Sequence, residues 1–319
     1  MSVLELVSMN LGSPAVLAFV LGLIAVAVRS DLRFPDQITS FLSTFLLFAI
    51  GLKGGMKLRD APLTELLGPA ALTLVIGTTV PFVAFLAARR FLRFDAVNAA
   101  SIAAHYGSVS AVTFTAADTF ARAADTAPAG FLPALVAILE VPGIIVAMVL
   151  ASRFTSGVST RRAVHEVVTG KSIVLLVGGL LVGALSHPEP LASVEPLFIG
   201  LFPGVLCLFL LDLGTLAGRR FADIRATGWR LVVYAVALPL VIGTVSTVAA
   251  GTIGMSVGSA AVLGTMAASA SYIAAPAAVR VGLPDANIGV SLGAALGITF
   301  PFNLIVGIPL FDQVARLVA

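Results

Sequence analysis

Apolar runs of about twenty residues occur along almost the whole chain, and they limit its fold more than any other feature. A run of ~20 apolar residues matches the hydrocarbon thickness that an α-helix must cross. Hydrophobic residues make up 59% of the 319 residues and charged residues only 11%, more apolar surface than a soluble globule of this length can bury. Because unpaired backbone groups are costly in lipid, the pattern predicts an all-α polytopic membrane protein.

The apolar runs predict ten transmembrane helices in a single membrane domain. The first run begins at Gly12 without a basic segment or a small-residue cleavage site before it, so we expect it to be retained rather than removed as a signal peptide. The predicted spans are 12–28, 38–52, 67–88, 96–117, 129–151, 172–187, 198–217, 228–251, 259–279 and 287–316.

Basic residues between the spans predict the orientation. Loop 152–171 carries three arginines and one lysine, which places it in the cytoplasm and both termini outside. Lys53, Lys57 and Arg59 contradict this orientation, because they would lie on the outer side. The segment after the second span is therefore expected to be partly embedded, or the second span is not a simple crossing.

The two halves of the chain show a weak internal symmetry at an offset of 161 residues, which places residue 107 on residue 268. The offset aligns Gly107–Ser110 with Ala268–Ser271 and Glu140–Pro142 with Pro301–Asn303. Chance similarity of Ala-, Val- and Gly-rich segments is an alternative, but the order of the spans also matches. Since five spans is an odd number, the second copy would be inverted in the membrane. The predicted organisation is a first repeat at 1–151, a cytoplasmic loop at 152–171 and a second repeat at 172–319.

The fourth and ninth spans contain small and hydroxyl residues that are atypical of a lipid-facing helix: AAHYGSVSAVTF at 103–114 and AASASYIAAP at 267–276. Gly107 and Pro276 can each interrupt a helix at mid-membrane. Amides freed at a half-helix N-terminus suit a small anion, and freed carbonyls suit a cation. Close helix packing is the alternative for either stretch alone, but their matching positions in the two repeats favour a binding site.

Glu140 lies in the middle of the apolar fifth span, where an ionised carboxylate is costly without a partner. A bound sodium ion would supply that partner, and a protonated or hydrogen-bonded structural acid is the alternative. The aligned region of the second repeat offers Thr299 and Asn303, whose neutral oxygens suit a hard cation. The candidate sodium ligands are Glu140, Asn98, Thr113, Thr299 and Asn303.

Other polar residues have simpler explanations. His105 could relay protons, although a hydrogen bond between helices is the commoner role. Asp212 is explained equally well by an ion pair at the membrane interface. Asp95 and Asn98 open the fourth span, where capping of the helix is the default. One cysteine, Cys207, rules out an internal disulfide, and three scattered histidines argue against a zinc site.

Three segments carry a resemblance to the sodium-dependent bicarbonate transporters of cyanobacteria, the SbtA family: FLSTFLLFAIGLKGG at 41–55, NAASIAAHYGSVSAVTF at 98–114 and SASYIAAPAAVR at 269–280. The resemblance implies sodium-coupled bicarbonate uptake without a cofactor other than the coupling ion. It also implies a fold similar to bile-acid symporters and sodium/proton antiporters, with gate and core domains and an elevator-type motion. It places the substrate at Gly107, Ser108, Val109, Ser110, Ser269, Ala270, Ser271 and Tyr272.

The same resemblance implies a homotrimer in the bacterial inner membrane, assembled through the gate domain. In the family a PII-like regulator engages the central cytoplasmic region, and the shortness of loop 152–171 weakens that expectation here. The net charge of +3 fits basic cytoplasmic loops rather than nucleic-acid binding.

Several functional alternatives remain. The first are a carrier of the same fold for another small anion and a proton-coupled exchanger that uses Glu140 and His105. A membrane-embedded enzyme is disfavoured, since the mid-span polar residues are mainly Ser, Thr and Asn with one acid. A passive channel is disfavoured by the inverted repeats.

Overall fold

The computed structural model describes residues 8, 11–59, 63–155, 158–220 and 228–319. The described residues form helices joined by short connections. In chain order we number the helices α1 (Pro14–Ala27), α2 (Asp36–Arg59), α3 (Thr64–Leu92), α4 (Ala96–Gly107), α5 (Ala111–Ala123), α6 (Leu132–Ser152), α7 (Thr160–Val168), α8 (Lys171–Leu185), α9 (Pro188–Arg219), α10 (Trp229–Thr252), α11 (Val257–Ala267), α12 (Ala274–Gly282) and α13 (Ile288–Val318).

Among the described residues, six helices are long and apolar enough to cross a membrane: α2, α3, α6, α9, α10 and α13. Helices α7 and α8, which meet at a bend of 42°, add a seventh span if they are counted together. The prediction of a multi-pass helical membrane protein is therefore confirmed. The predicted fourth and ninth spans are each a pair of short helices, α4 with α5 and α11 with α12. Ten complete crossings and the inversion of the second half stay predictions.

Several observed helices extend beyond the predicted bounds, the helix Pro188–Arg219 among them. The second span was expected to end at residue 52, but α2 continues to Arg59, so Lys53 and Lys57 lie within a helix rather than in a loop. Leu52, Gly54 and Gly55 are buried in the protein, and both explanations of these basic residues stay predictions. The segment 152–171, expected to be a loop, contains α7, whose Ala163 and Val167 are buried while Arg161 is exposed.

Four helices form a layer that we call the panel: α1, α2, α8 and α9. Helix α1 packs along α9, and α8 packs along α2. Glycines allow both close approaches: a Cβ on Gly22 would lie 2.9 Å from the Gly214 Cα, and one on Gly183 would lie 3.1 Å from the Gly55 Cα. Small residues at such contacts are typical of helix pairs in membranes.

The remaining membrane helices, α3 to α6 and α10 to α13, form a second body that we call the bundle. Within it α4 packs on α3 and on the second half of α6, while α11 packs on α10 and on the end of α13. The ends of α4 and α11 are thereby buried in the protein rather than exposed to lipid, which is where interrupted helices are tolerated.

Candidate functional site

The first helix break lies between α4 and α5. Helix α4 ends at Gly107, Ser108 is extended, and Ser110 caps α5 by accepting a hydrogen bond from the Thr113 amide at 3.1 Å. A Cβ on Gly107 would lie 2.5 Å from the Pro81 Cβ and 3.0 Å from the Gly143 Cα. Glycine is therefore required here by the close approach of α3 and α6.

The second break comprises residues 268–273, between the end of α11 at Ala267 and the start of α12 at Ala274. Pro276 lies in the first turn of α12, where its missing N–H costs no helical hydrogen bond. The Ser271 hydroxyl accepts a hydrogen bond from the Ala275 amide at 3.2 Å. It thereby pairs one of the amides that have no helical partner at the start of α12. The break therefore precedes the proline instead of being caused by a hydrogen bond lost inside the helix.

The two breaks are hydrogen-bonded to each other. The Ser271 amide donates to the His105 carbonyl at 2.8 Å. The Ser110 amide donates to the Ser269 hydroxyl at 2.9 Å, and that hydroxyl donates to the Met266 carbonyl at 2.7 Å. Since the 161-residue offset places Ser110 on Ser271 and His105 on Met266, the two links occupy equivalent positions. One link is direct and the other passes through a hydroxyl.

All eight residues predicted for the anion site lie in or directly beside the two breaks. Seven are buried and Tyr272 is partly buried. The Ser110 hydroxyl donates to the Tyr272 hydroxyl at 2.9 Å, which joins the breaks through side chains as well. The N-termini of α5 and α12 both open onto this crossing.

Glu140 lies at the crossing, with only 4% of its surface exposed. Its carboxyl group faces the Ser108 hydroxyl and the Val109 amide. The Ser108 contact falls short of hydrogen-bond geometry, so that buried hydroxyl has no bonded partner among the described residues. The acid thus connects α6 to the first break.

A small cavity of about 10 Å³ joins Glu140 to both breaks, and this is about the space for one water molecule. Val109, Ser271 and Tyr272 line it, together with Ser172 at the start of α8. Sequence reasoning missed Ser172, because a serine near the end of a predicted span has the same signature as a capping residue.

Asn303 and Thr113 are two further candidate sodium ligands, and both are buried. The side-chain Nδ2 of Asn303 donates to the Ala268 carbonyl of the second break at 2.9 Å, whereas its Oδ1 has no partner among the described residues. Thr113 lies in the first turn of α5. Both residues therefore adjoin the breaks.

Thr299 is held by neutral hydrogen bonds on α13. Its hydroxyl donates to the Ala235 carbonyl at 2.7 Å and accepts from the Tyr106 hydroxyl at 2.6 Å. These two hydrogen bonds hold α13 against α10 and α4, which is a structural role for the Thr299 side chain.

Asn98 is not brought to the crossing. It is nine residues before Gly107, or ~13 Å along α4 at 1.5 Å per residue. Its Oδ1 accepts from the Asn287 amide at 2.8 Å and its Nδ2 donates to Asp95 at 2.9 Å. Asp95 accepts from the Asn98 amide at 2.8 Å, which confirms the helix cap predicted for Asp95.

Two other buried polar residues have distinct surroundings. His105 bonds to the Ser101 carbonyl through Nδ1 at 2.7 Å, while Nε2 has no partner within the described ranges. Asp212 accepts from the Thr39 hydroxyl at 2.6 Å. Arg219 donates to the Leu32 carbonyl at 3.0 Å.

Two larger cavities lie between the panel and the bundle, at opposite ends of α2. The Lys53 cavity, of about 230 Å³, is lined by Lys53, Lys57, Asp118, Arg122 and Phe202 among others. The Lys171 cavity, of about 360 Å³, is lined by Asp36, Ser40, Lys171, Arg220 and Tyr272 among others. Only the second reaches a residue of the breaks, so the crossing is approached more closely from the Lys171 end.

A known family matches nearly the whole chain. A search of curated proteins finds no match. A family model described as the Na+-dependent bicarbonate transporter superfamily matches residues 14–316, from the start of α1 into the last turn of α13. Since this match covers nearly the whole chain, the protein belongs to the Na+-dependent bicarbonate transporter superfamily.

Proposed function

We propose that the protein is a symporter that carries bicarbonate into a bacterial cell together with sodium. The observation that carries this proposal is the crossing itself: two interrupted helices, hydrogen-bonded to each other, meet beside a buried acid. Interrupted helices at membrane depth are typical of secondary transporters, whose binding sites they form.

The crossing suits a small oxyanion. The first turns of α5 and α12 present their positive ends to it, and Ser108 adds a buried hydroxyl that lacks a partner in the described part of the chain. Serine hydroxyls and backbone amides bind bicarbonate by hydrogen bonds without requiring a buried arginine. This arrangement supports the eight predicted residues as the anion site.

The neighbouring groups suit sodium. Glu140 supplies a buried carboxylate and Asn303 supplies a buried carbonyl oxygen without a partner among the described residues. Hard cations prefer oxygen ligands of this kind. Because Glu140 faces the Ser108 hydroxyl, a cation held by the acid would lie beside the anion and favour its binding electrostatically.

Alternating access by an elevator-type motion is part of the proposal. The 161-residue offset exchanges the α1–α9 pair with the α8–α2 pair, which supports an internal repeat. The two cavities between panel and bundle lie at opposite ends of α2, as expected for a bundle that slides along a fixed panel. The panel then corresponds to the gate domain, through which the family resemblance implies a homotrimer.

A proton-coupled exchanger is a second candidate, favoured by one observation. His105 is fully buried and its Nε2 has no partner within the described ranges, so it could carry a proton at the crossing.

The two candidates are separated by uptake of radiolabelled bicarbonate into proteoliposomes. An inward sodium gradient should drive uptake, and an equal potassium gradient should leave it at the level of protein-free liposomes. Equal uptake under potassium would overturn sodium coupling, and uptake driven by a pH gradient alone would establish the exchanger.

A further inference from the structure

The space between the panel and the bundle forms a series of adjoining cavities that leads from the Lys53 cavity to Glu140. Ile50 and Thr115 line both the Lys53 cavity and a constriction of about 10 Å³. Ala111 and Ile273 line both that constriction and the small cavity at Glu140. The Lys53 cavity therefore adjoins the crossing through this constriction.

The charge in the Lys53 cavity is predominantly positive. Lys53, Lys57 and Arg122 line it against one acid, Asp118. Arg122 donates two hydrogen bonds to that acid, at 2.8 and 2.9 Å, so the carboxylate is largely neutralised. The excess positive charge consequently belongs to the two lysines.

Lys53 is the lysine set deeper in this cavity. It lies on α2 between the buried residues Leu52 and Gly54, and its ammonium group is 4.9 Å from the centre of the Phe202 ring. Across the described part of the chain it forms no ion pair. An aromatic face stabilises a cation without neutralising its charge, so the ammonium remains able to attract an anion.

The orientation predicted from the sequence adds a second argument. Lysine and arginine are normally concentrated at the cytoplasmic ends of transmembrane helices. The orientation predicted from loop 152–171 places Lys53 and Lys57 at the outer end of α2. Lys53 is partly buried, so both the charge bias and desolvation disfavour a cation there, and binding of an anion would offset the cost of desolvation.

We propose that the Lys53 cavity is an outer anion subsite, in which the Lys53 ammonium group holds a small oxyanion before it moves along the panel to the crossing. The identification of the oxyanion as bicarbonate rests on the proposed function. A fixed positive charge in a cleft raises the local anion concentration and the association rate, and salt screens this effect.

The subsite can be tested without any transport measurement. A Cys207→Ser, Ile199→Cys protein carries one thiol on the lining of the Lys53 cavity. Its modification rates by anionic sulfonatoethyl and cationic trimethylammonioethyl methanethiosulfonate report the local potential. Adding Lys53→Gln should lower the ratio of anionic to cationic rates by about tenfold, the effect expected of one nearby charge at intermediate dielectric.

Two matched variants control that measurement. Lys53→Arg should keep the ratio of the parent protein, because the charge is retained. Arg161→Gln, which removes an exposed charge on α7, should also leave the ratio unchanged. A ratio that does not fall in Lys53→Gln overturns the proposed subsite.

Measurements of bicarbonate uptake then test whether the anion held at the subsite is bicarbonate. Lys53→Gln should raise the bicarbonate KM severalfold at low ionic strength, and the difference from the parent should shrink in high salt. An unchanged KM together with a changed modification ratio would overturn the subsite as a step in bicarbonate transport. If no form of the protein shows sodium-dependent bicarbonate uptake while the modification ratio still falls, the proposed function fails and the anion subsite stands.

Discussion

The Ser110 hydroxyl donates to the Tyr272 hydroxyl at 2.9 Å, and this bond joins the two broken helices through their side chains. Ser110 also caps α5 by accepting from the Thr113 amide at 3.1 Å. One hydroxyl therefore sets both the start of a helix and its distance from the opposite break.

Replacing Ser110 by Ala should raise the bicarbonate KM more than replacing Tyr272 by Phe. The first change removes the cap, worth about 1 kcal/mol, as well as the bond between the breaks, whereas the second removes the bond alone. Uptake kinetics of both variants and of the double variant measure the coupling. Additive effects would show that the Ser110–Tyr272 bond contributes nothing to substrate binding.

Glu140→Gln should raise the sodium concentration required for half-maximal uptake at least about tenfold, since a charged cation ligand is worth more than a neutral oxygen. The sodium dependence of bicarbonate uptake is the measurement. Asp285→Asn, which removes an exposed acid, is the matched control and should behave as the parent protein. An unchanged sodium response in Glu140→Gln would remove this residue from the cation site.

Gly143→Ala should lower thermal stability and uptake together, because the added Cβ would overlap the Gly107 carbonyl. Overpacking of this kind costs about 1–3 kcal/mol. The melting temperature in detergent, monitored by size-exclusion chromatography of heated samples, measures the loss of stability. Gly178→Ala on α8 is the control, since its added Cβ would meet nothing within 4 Å. Equal melting temperatures for the two variants would contradict the close contact of α6 with the first break.

Thr299→Val should destabilise the protein by about 1–3 kcal/mol, because it leaves the Tyr106 hydroxyl and the Ala235 carbonyl buried without partners. Tyr106→Phe should cost less, since Thr299 keeps its bond to Ala235. Thermal unfolding ranks the two variants. The sodium KM of Thr299→Val is a separate test of the predicted cation role: an unchanged value would assign Thr299 to structure alone.

The helices and the breaks could be predicted because both depend on local sequence. Hydropathy finds apolar helices directly, and the helix breakers Gly107 and Pro276 lie within a few residues of the observed breaks. The end of α2 was missed because Lys53 and Lys57 lower the hydropathy of a segment that is nevertheless helical and partly buried.

The predicted site residues come together only where the packing of the helices brings them to the crossing. Residues 107–110 and 269–272 meet because their helices cross, and Glu140 reaches them because α6 packs on α4. Asn98 shares α4 with Gly107, but the length of that helix separates it from the crossing. Ser172 comes from the panel, and no feature of one sequence indicates which panel residue faces the bundle.

The contact of Gly107 with Gly143 has a mechanical consequence. Gly143 is three residues after Glu140 on α6, and its Cα lies against the backbone of the first break with no side chain between them. A displacement of Glu140 that shifts α6 would be passed directly from main chain to main chain. Under the proposed function, a cation at Glu140 would thus act on the anion site through a contact of two backbones, with no flexible side chain to absorb the movement.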